Sequence, residues 1–106
     1  MEIYMIVQFS VVPVGTGESL SEFVSHIIKI VKDSGLPYNL TAMGTIVEGE
    51  WDDIMALVKE CRTKALKETG RVLINMTMDI RPDKPMDRIS EKVRSVEKKL
   101  DRPLSE

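Results

Sequence analysis

The sequence predicts an α+β fold in a single domain, 1–106, and three patterns carry that prediction. Residues 2–12 (EIYMIVQFSVV) and 71–81 (RVLINMTMDIR) alternate from one face to the other as strands do. Two longer stretches, about 20–34 and 52–69, repeat apolar residues at intervals of three and four and are each followed by a glycine, Gly35 and Gly70. Between them YNLTAMGTIVEGE, 38–50, alternates, breaks once at Met43-Gly44 and resumes, so it reads as a hairpin. The order is strand, helix, strand, strand, helix, strand, in 106 residues, enough for one core and too few for two.

In the first strand Ile3, Met5, Val7, Phe9 and Val11 share one face, and Tyr4, Ile6, Gln8, Ser10 and Val12 the other. The loop PVGTGES follows, and Glu18 or Ser19 starts a helix whose apolar side is Leu20, Phe23, Val24, Ile27, Ile30 and Val31. Gly35 stands where a left-handed residue closes a helix. The second helix carries Ile54, Leu57, Val58, Cys61, Ala65 and Leu66, with Gly70 in the corresponding closing position. The last strand sets Val72, Ile74, Met76, Met78 and Ile80 against Leu73, Asn75, Thr77, Asp79 and Arg81. A third helix, about 86–100, presents Met86, Ile89, Val93, Val96 and Leu100 as one apolar stripe, which should dock on this domain or on a neighbour.

Right-handed crossovers place the first two helices on one face of a four-stranded antiparallel sheet. This is the ferredoxin-like βαββαβ arrangement, here with a C-terminal helix added. Met5, Val7, Phe9, Ile74, Met76 and Met78 then look toward the helices. The opposite, open face carries Tyr4, Ile6, Gln8, Ser10, Asn39, Thr41, Ile46, Glu48, Leu73, Asn75, Thr77 and Asp79. Covering Tyr4, Ile6, Ile46 and Leu73 is worth on the order of 6 to 10 kcal/mol, at ~1.5 to 3 each. The expectation is therefore a homodimer or homotetramer built at least partly through that face.

Composition removes several function classes. With 42% hydrophobic and 30% charged residues the chain is globular, and a formal net charge of -2 lacks the basic footprint of non-specific nucleic-acid binding. The stacking aromatics of RNA-binding sheets are missing from the central strands. No run approaches the roughly 18 to 20 apolar residues of a membrane span. The start, MEIYMIVQFSVVPVG, alternates like a strand and has no basic leader, so a cytoplasmic protein that contacts no membrane is expected.

The single cysteine, Cys61, excludes an intrachain disulfide and a cysteine metal cluster, and its helical spacing makes it a small core residue. His26, the only histidine, has no second histidine or nearby cysteine with which to ligate a metal. GTGES precedes a helix N-terminus but lacks the P-loop lysine and the dinucleotide spacing. Trp51, at the start of the second helix, reads as an interface residue more than a ligand stacker. No nucleophile is paired with a base, so the expectation is a protein that is not an enzyme and uses no cofactor.

The hairpin MGTIVEGE, the loop VPVGTGESLSEFV and the closing strand MTMDIR together resemble the thiamine-binding protein family. These are small stand-alone ferredoxin-like domains, related to a tandem-domain protein that binds thiamine and its hydroxymethylpyrimidine moiety. The resemblance runs from about Tyr4 to Leu100. It implies a homo-oligomer, commonly a tetramer formed as a pair of dimers, with small-molecule sites near subunit contacts and no catalysis. Thr45, Glu48 and Asp79 match the family's motif positions, and Ser10 falls at a place where the family varies, as does the loop at Gly17, Glu18 and Ser19. The function implied is binding of thiamine or a related pyrimidine as carrier or sensor. The alternative is a structural or regulatory interaction domain without a ligand.

Thiamine offers an aminopyrimidine edge and a permanently cationic thiazolium, so its site calls for an acceptor or carboxylate, a hydroxyl or amide, and flat apolar walls. Glu48 and Asp79 are candidates for the amino group or the cation, and are equally able to pair with lysine or arginine across an oligomer. Met43 and Gly44 are candidates for a pocket wall and a close backbone approach, and Asn39 and Thr41 are further contacts from the open face. Thr45 raises a conflict, because in a regular strand it faces away from Glu48. The two share a site only if Thr45 belongs to the turn or a bulge re-aims the strand there.

Overall fold

The protein is analysed as a computed structural model in which residues 3–15, 20–83 and 88–100 are described. Its elements are β1 (Met5–Pro13), α1 (Leu20–Asp33), β2 (Tyr38–Thr41), β3 (Gly44–Gly49), α2 (Trp51–Glu68), β4 (Val72–Ile80) and α3 (Arg88–Leu100). The strands form one antiparallel sheet in the order β2-β3-β1-β4. This is the ferredoxin-like α+β arrangement that the element order predicts, with α3 as the additional helix. The limits differ slightly from the periodic pattern: β1 begins at Met5 and α2 takes in Trp51. Met86, expected in the third helix, lies outside the described residues, as do Gly17, Glu18 and Ser19.

β1 lies in the sheet's interior and pairs on both edges, from Met5↔Gly49 to Phe9↔Thr45 with β3 and from Met5↔Ile80 to Pro13↔Val72 with β4. Its alternate side chains Met5, Val7 and Phe9 are buried, and with Val47 of β3 they form the floor of the core. Phe23, Ile27 and Val31 of α1 and Ile54, Leu57, Cys61 and Ala65 of α2 close over it. Met76 and Met78 of β4 pack at its margin. The spacing of those helical residues is what puts each helix's apolar stripe against a pleated apolar face.

The helix ends are handled differently from one another. Gly35 takes a φ of 79° and its N–H donates to Lys32 O at 3.4 Å, the left-handed closure its position predicts. Gly70 does not close α2. The cap is Thr69, in extended backbone at φ -146° and ψ 152°, with its N–H donating to Ala65 O at 3.0 Å. The buried Thr69 hydroxyl donates to Val14 O at 3.1 Å, so the end of α2 is tied to the end of β1 by a side chain, and no left-handed residue is required.

The hairpin turn is centred on Ala42 and Met43, one residue earlier than the sequence break implies. The Thr41 hydroxyl donates to Gly44 O at 2.8 Å and accepts from the Met43 N–H at 3.2 Å, holding the turn from within. Gly44 then enters β3 at φ 154°, and a Cβ placed on it would lie 2.8 Å from Phe9 O. Only glycine lets the hairpin approach the backbone of β1 this closely. Gly44→Ala is therefore expected to lower stability by about 1 to 3 kcal/mol. Urea unfolding monitored by circular dichroism checks it, and an unchanged midpoint contradicts the close approach.

Candidate functional site

The position of every candidate residue follows from the β1–β3 register. Phe9↔Thr45, Gln8↔Ile46, Val7↔Val47, Ile6↔Glu48 and Met5↔Gly49 run one residue against one, without a bulge. Thr45 therefore faces the helices beside Phe9, and Glu48 faces the open side beside Ile6. The irregularity required for Thr45 and Glu48 to share a face is not present, and neither is a turn position for Thr45, which pairs with both Phe9 and Leu40. The physical reason is that Thr45 sits where the core thins at the end of β3. There a cavity receives its hydroxyl, so nothing forces the strand to turn it outward.

That cavity, of about 350 Å³, lies between the first turns of α1, the β2–β3 turn and the far end of β1. Leu20, Val24 and Ile27 of α1 form one wall, Phe9 and Val11 of β1 the floor, and Leu40 with Met43 the opposite wall. Met43 at the rim is 80% exposed. Thr45 is 5% exposed, and among the described residues its hydroxyl has no hydrogen-bond partner, whereas the Thr41 hydroxyl already donates and accepts within the turn. The described lining contains no ionisable side chain. Such a pocket has the size and apolar character of a small-molecule site, with the Thr45 side chain as a polar group in its lining.

A second polar feature comes from the backbone. β1 continues past Phe9 to Pro13 along β4, but β3 reaches only to Gly44, so among the described residues the β3-side edge of residues 10–12 has no strand beside it. Ser10, Val11 and Val12 border the cavity along this edge. Ser10 pairs with Asn75, so alternation assigns its side chain to the open face, and the edge of its backbone is what the cavity meets.

The eight candidates thus divide. Thr45, Thr41, Met43, Gly44 and Ser10 border the cavity. Glu48, Asp79 and Asn39 do not. Glu48 and Asp79 flank Ile6 from opposite sides on the open face, and Asn39 is exposed beside Ile46. Glu48 is completely buried, and the N–H of Ile89 in the first turn of α3 donates to its Oε1 at 3.3 Å. α3 packs on β3 and β1, and Tyr4, Ile6 and Ile46 are half-buried, so the open apolar patch is smaller than the sequence implies, with Leu73 left 48% exposed.

Sequence reasoning passes over the cavity walls, because Val24 and Ile27 read as ordinary core positions and Leu40 as a plain strand residue. The available signal is that α1 begins with Leu20 and Val24 beyond the reach of β3's last core-facing residue. It also passes over the pair between His26 Nδ1 and Glu68 Oε1, 2.7 Å apart across α1 and α2. Trp51 is 53% exposed at the start of α2. Among the described residues no three of His, Cys, Asp and Glu come together to hold a metal ion, and no helix is long and apolar enough to cross a membrane.

The sequence profile of the thiamine-binding protein family matches residues 7–97. A UPF0045 protein of Mycobacterium tuberculosis is 39% identical over 100 residues, covering 93% of this chain and 97% of that one. The crystal structure of a hypothetical protein from Methanocaldococcus jannaschii superposes with a TM-score of 0.79 at 31% identity, over 88% of this chain and 95% of that one. A protein of Thermotoga maritima, named as a candidate thiamine biosynthesis/salvage protein, gives 0.77 at 27% identity, over 88% and 98%.

Cys61 is closed off from all of this. It is fully buried, and burial, with a smaller contribution from Glu60, pushes its thiol up from 9.0 to about 11. In the unfolded chain the thiol ionises earlier, so the unfolded state binds fewer protons between about pH 9 and 11 and stability falls through that window. The fall is expected to be shallower in Cys61→Ala, as equilibrium unfolding at pH 8 and pH 10 would register. At pH 8 a thiol-specific disulfide reagent should label native Cys61 only as fast as the core opens. Immediate labelling contradicts its burial.

Proposed function

The chain belongs to the thiamine-binding protein family, and from that premise we propose that it binds thiamine or its hydroxymethylpyrimidine moiety without catalysis, as a carrier or sensor. The observation that carries the proposal is the cavity with apolar walls and Thr45 in its lining. An aminopyrimidine is flat, and its amino group and ring nitrogens present a donor beside acceptors. The uncovered edge of β1 at residues 10–12 offers that same alternation of backbone N–H and C=O, as in peptide ligands that add to a strand edge. The ring lies between Val24 and Ile27 on one side and Leu40 and Met43 on the other, and Thr45 hydrogen-bonds its substituent.

Self-association through the open sheet face belongs to the same reading. Leu73 remains exposed there among uncharged polar residues, and covering it removes apolar surface from water. Glu48 serves this reading as the residue that holds α3, not as a ligand contact in the docked conformation.

Isothermal titration tests the proposal. Hydroxymethylpyrimidine and thiamine should each give saturable heat, and absence of heat with both supports the ligand-free interaction domain instead. Thr45→Val keeps the side chain's shape and removes the hydrogen bond, so it should weaken binding by about five- to tenfold, from ~1 to 1.5 kcal/mol. Glu48→Gln should leave affinity within about twofold. The reverse order of effects places the ligand on the open face.

A further inference from the structure

The first turn of α3 is fastened to the open sheet face. The Ile89 N–H donates to Glu48 at 3.3 Å, and Glu48 is completely buried on β3, next to Ile6 of β1. A buried carboxylate beneath a helix N-terminus meets the unpaired amides and partial positive charge of the first turn, which suit it better than any apolar cover would. Val93, Val96 and Leu100 lie on the same stripe as Ile89 but are 45%, 46% and 50% exposed.

The position of α3 has a steric consequence. It rests on β3 and β1, the two interior strands of the sheet. Two sheets packed face to face lie ~10 Å apart, and a helix with its side chains is itself about 10 to 12 Å across. A docked α3 therefore fills the space that a second sheet needs. The part of the face left open, Gln8, Val12, Leu73, Asn75 and Thr77, is exposed and carries no charge. Its amide and hydroxyl groups both donate and accept, so the patch can pair with its own copy across a two-fold axis.

We propose that α3 is a removable strap that competes with a second copy of this chain for the open sheet face, with Glu48 as its clasp. Docked, the helix covers the interior strands within one chain. Lifted, it frees the interior strands, with Ile6 and Ile46 on their open face, to join Leu73 in a sheet-to-sheet contact. The proposal rests on the self-association part of the reading above and is independent of the cavity and its ligand.

Two full-length variants test it, each followed by hydrogen exchange of the α3 amides and by sedimentation velocity over a range of concentrations. Glu48→Gln keeps the acceptor and removes the charge. Ile89→Pro removes the donated N–H at a first-turn position where proline is tolerated. Both should speed exchange along 90–100 by about tenfold and strengthen self-association by a similar factor. Unchanged α3 exchange in both variants overturns the clasp. Loosened α3 with weaker association overturns the competition and makes the helix part of the subunit contact. Loosened α3 with wild type and variants all monomeric overturns the strap and the self-association reading together, while pyrimidine titration of the same samples reports separately on the ligand.

Discussion

The pairing of β1 with its two neighbours is the constraint on which the rest of the molecule depends. Because strand side chains alternate without exception in a regular ladder, the single match Phe9↔Thr45 decides the face of every residue in β3, and Leu40↔Thr45 passes that decision on to β2. The register with β4 does the same on the other edge. A slip of one residue would send Val47 into water and Glu48 into the apolar core, so the pattern of burial itself holds the register in place. Glycine at position 44 permits it, since any Cβ there collides with the carbonyl of Phe9.

From this sorting come two chemically different surfaces. On the helix side, the strands end unevenly: β1 runs on to Pro13 while β3 stops at Gly44, and α1 begins with apolar residues above the gap. The result is a cavity with apolar walls, one hydroxyl and a bare strand edge. On the other side, Glu48 and Asp79 bracket Ile6, and the N-terminus of α3 comes down on Glu48. One ligand within one chain cannot touch both Thr45 and Glu48, because the sheet stands between them. Family motif residues that look like one site in sequence therefore lie on opposite faces of the sheet.

The fold is almost entirely legible in the sequence, since period-two and period-3.6 patterns report directly on which faces are buried, and a four-stranded antiparallel sheet with two helices on one face follows from the element order. The faces of Met5, Val7, Phe9, Met76 and Met78 were legible for the same reason. Gly35 could be read as a cap because its place after Ser34 leaves few alternatives, whereas Gly70 misled, because the long-range bond from Thr69 to Val14 has no local sequence signature. The candidate site was legible only in part. Thr45, Met43 and Gly44 were found from the motif, but the walls at Val24, Ile27 and Leu40 depend on how far α1 overhangs the sheet. The burial of Glu48 depends on a helix some forty residues away in the chain, and a sequence records neither distance.

In the proposed binding mode the ligand enters on the helix side of the sheet, at the gap beyond Phe9. Backbone amide chemical shifts of the isotope-labelled protein, followed by two-dimensional NMR during titration with hydroxymethylpyrimidine, test it most directly. Binding in the cavity should gather the perturbed amides at residues 10–12, at Val24 and across Leu40 to Thr45, with Asn75 and Thr77 unmoved. Perturbations that gather instead around Ile6, Glu48 and Asp79, leaving Thr45 still, would contradict it.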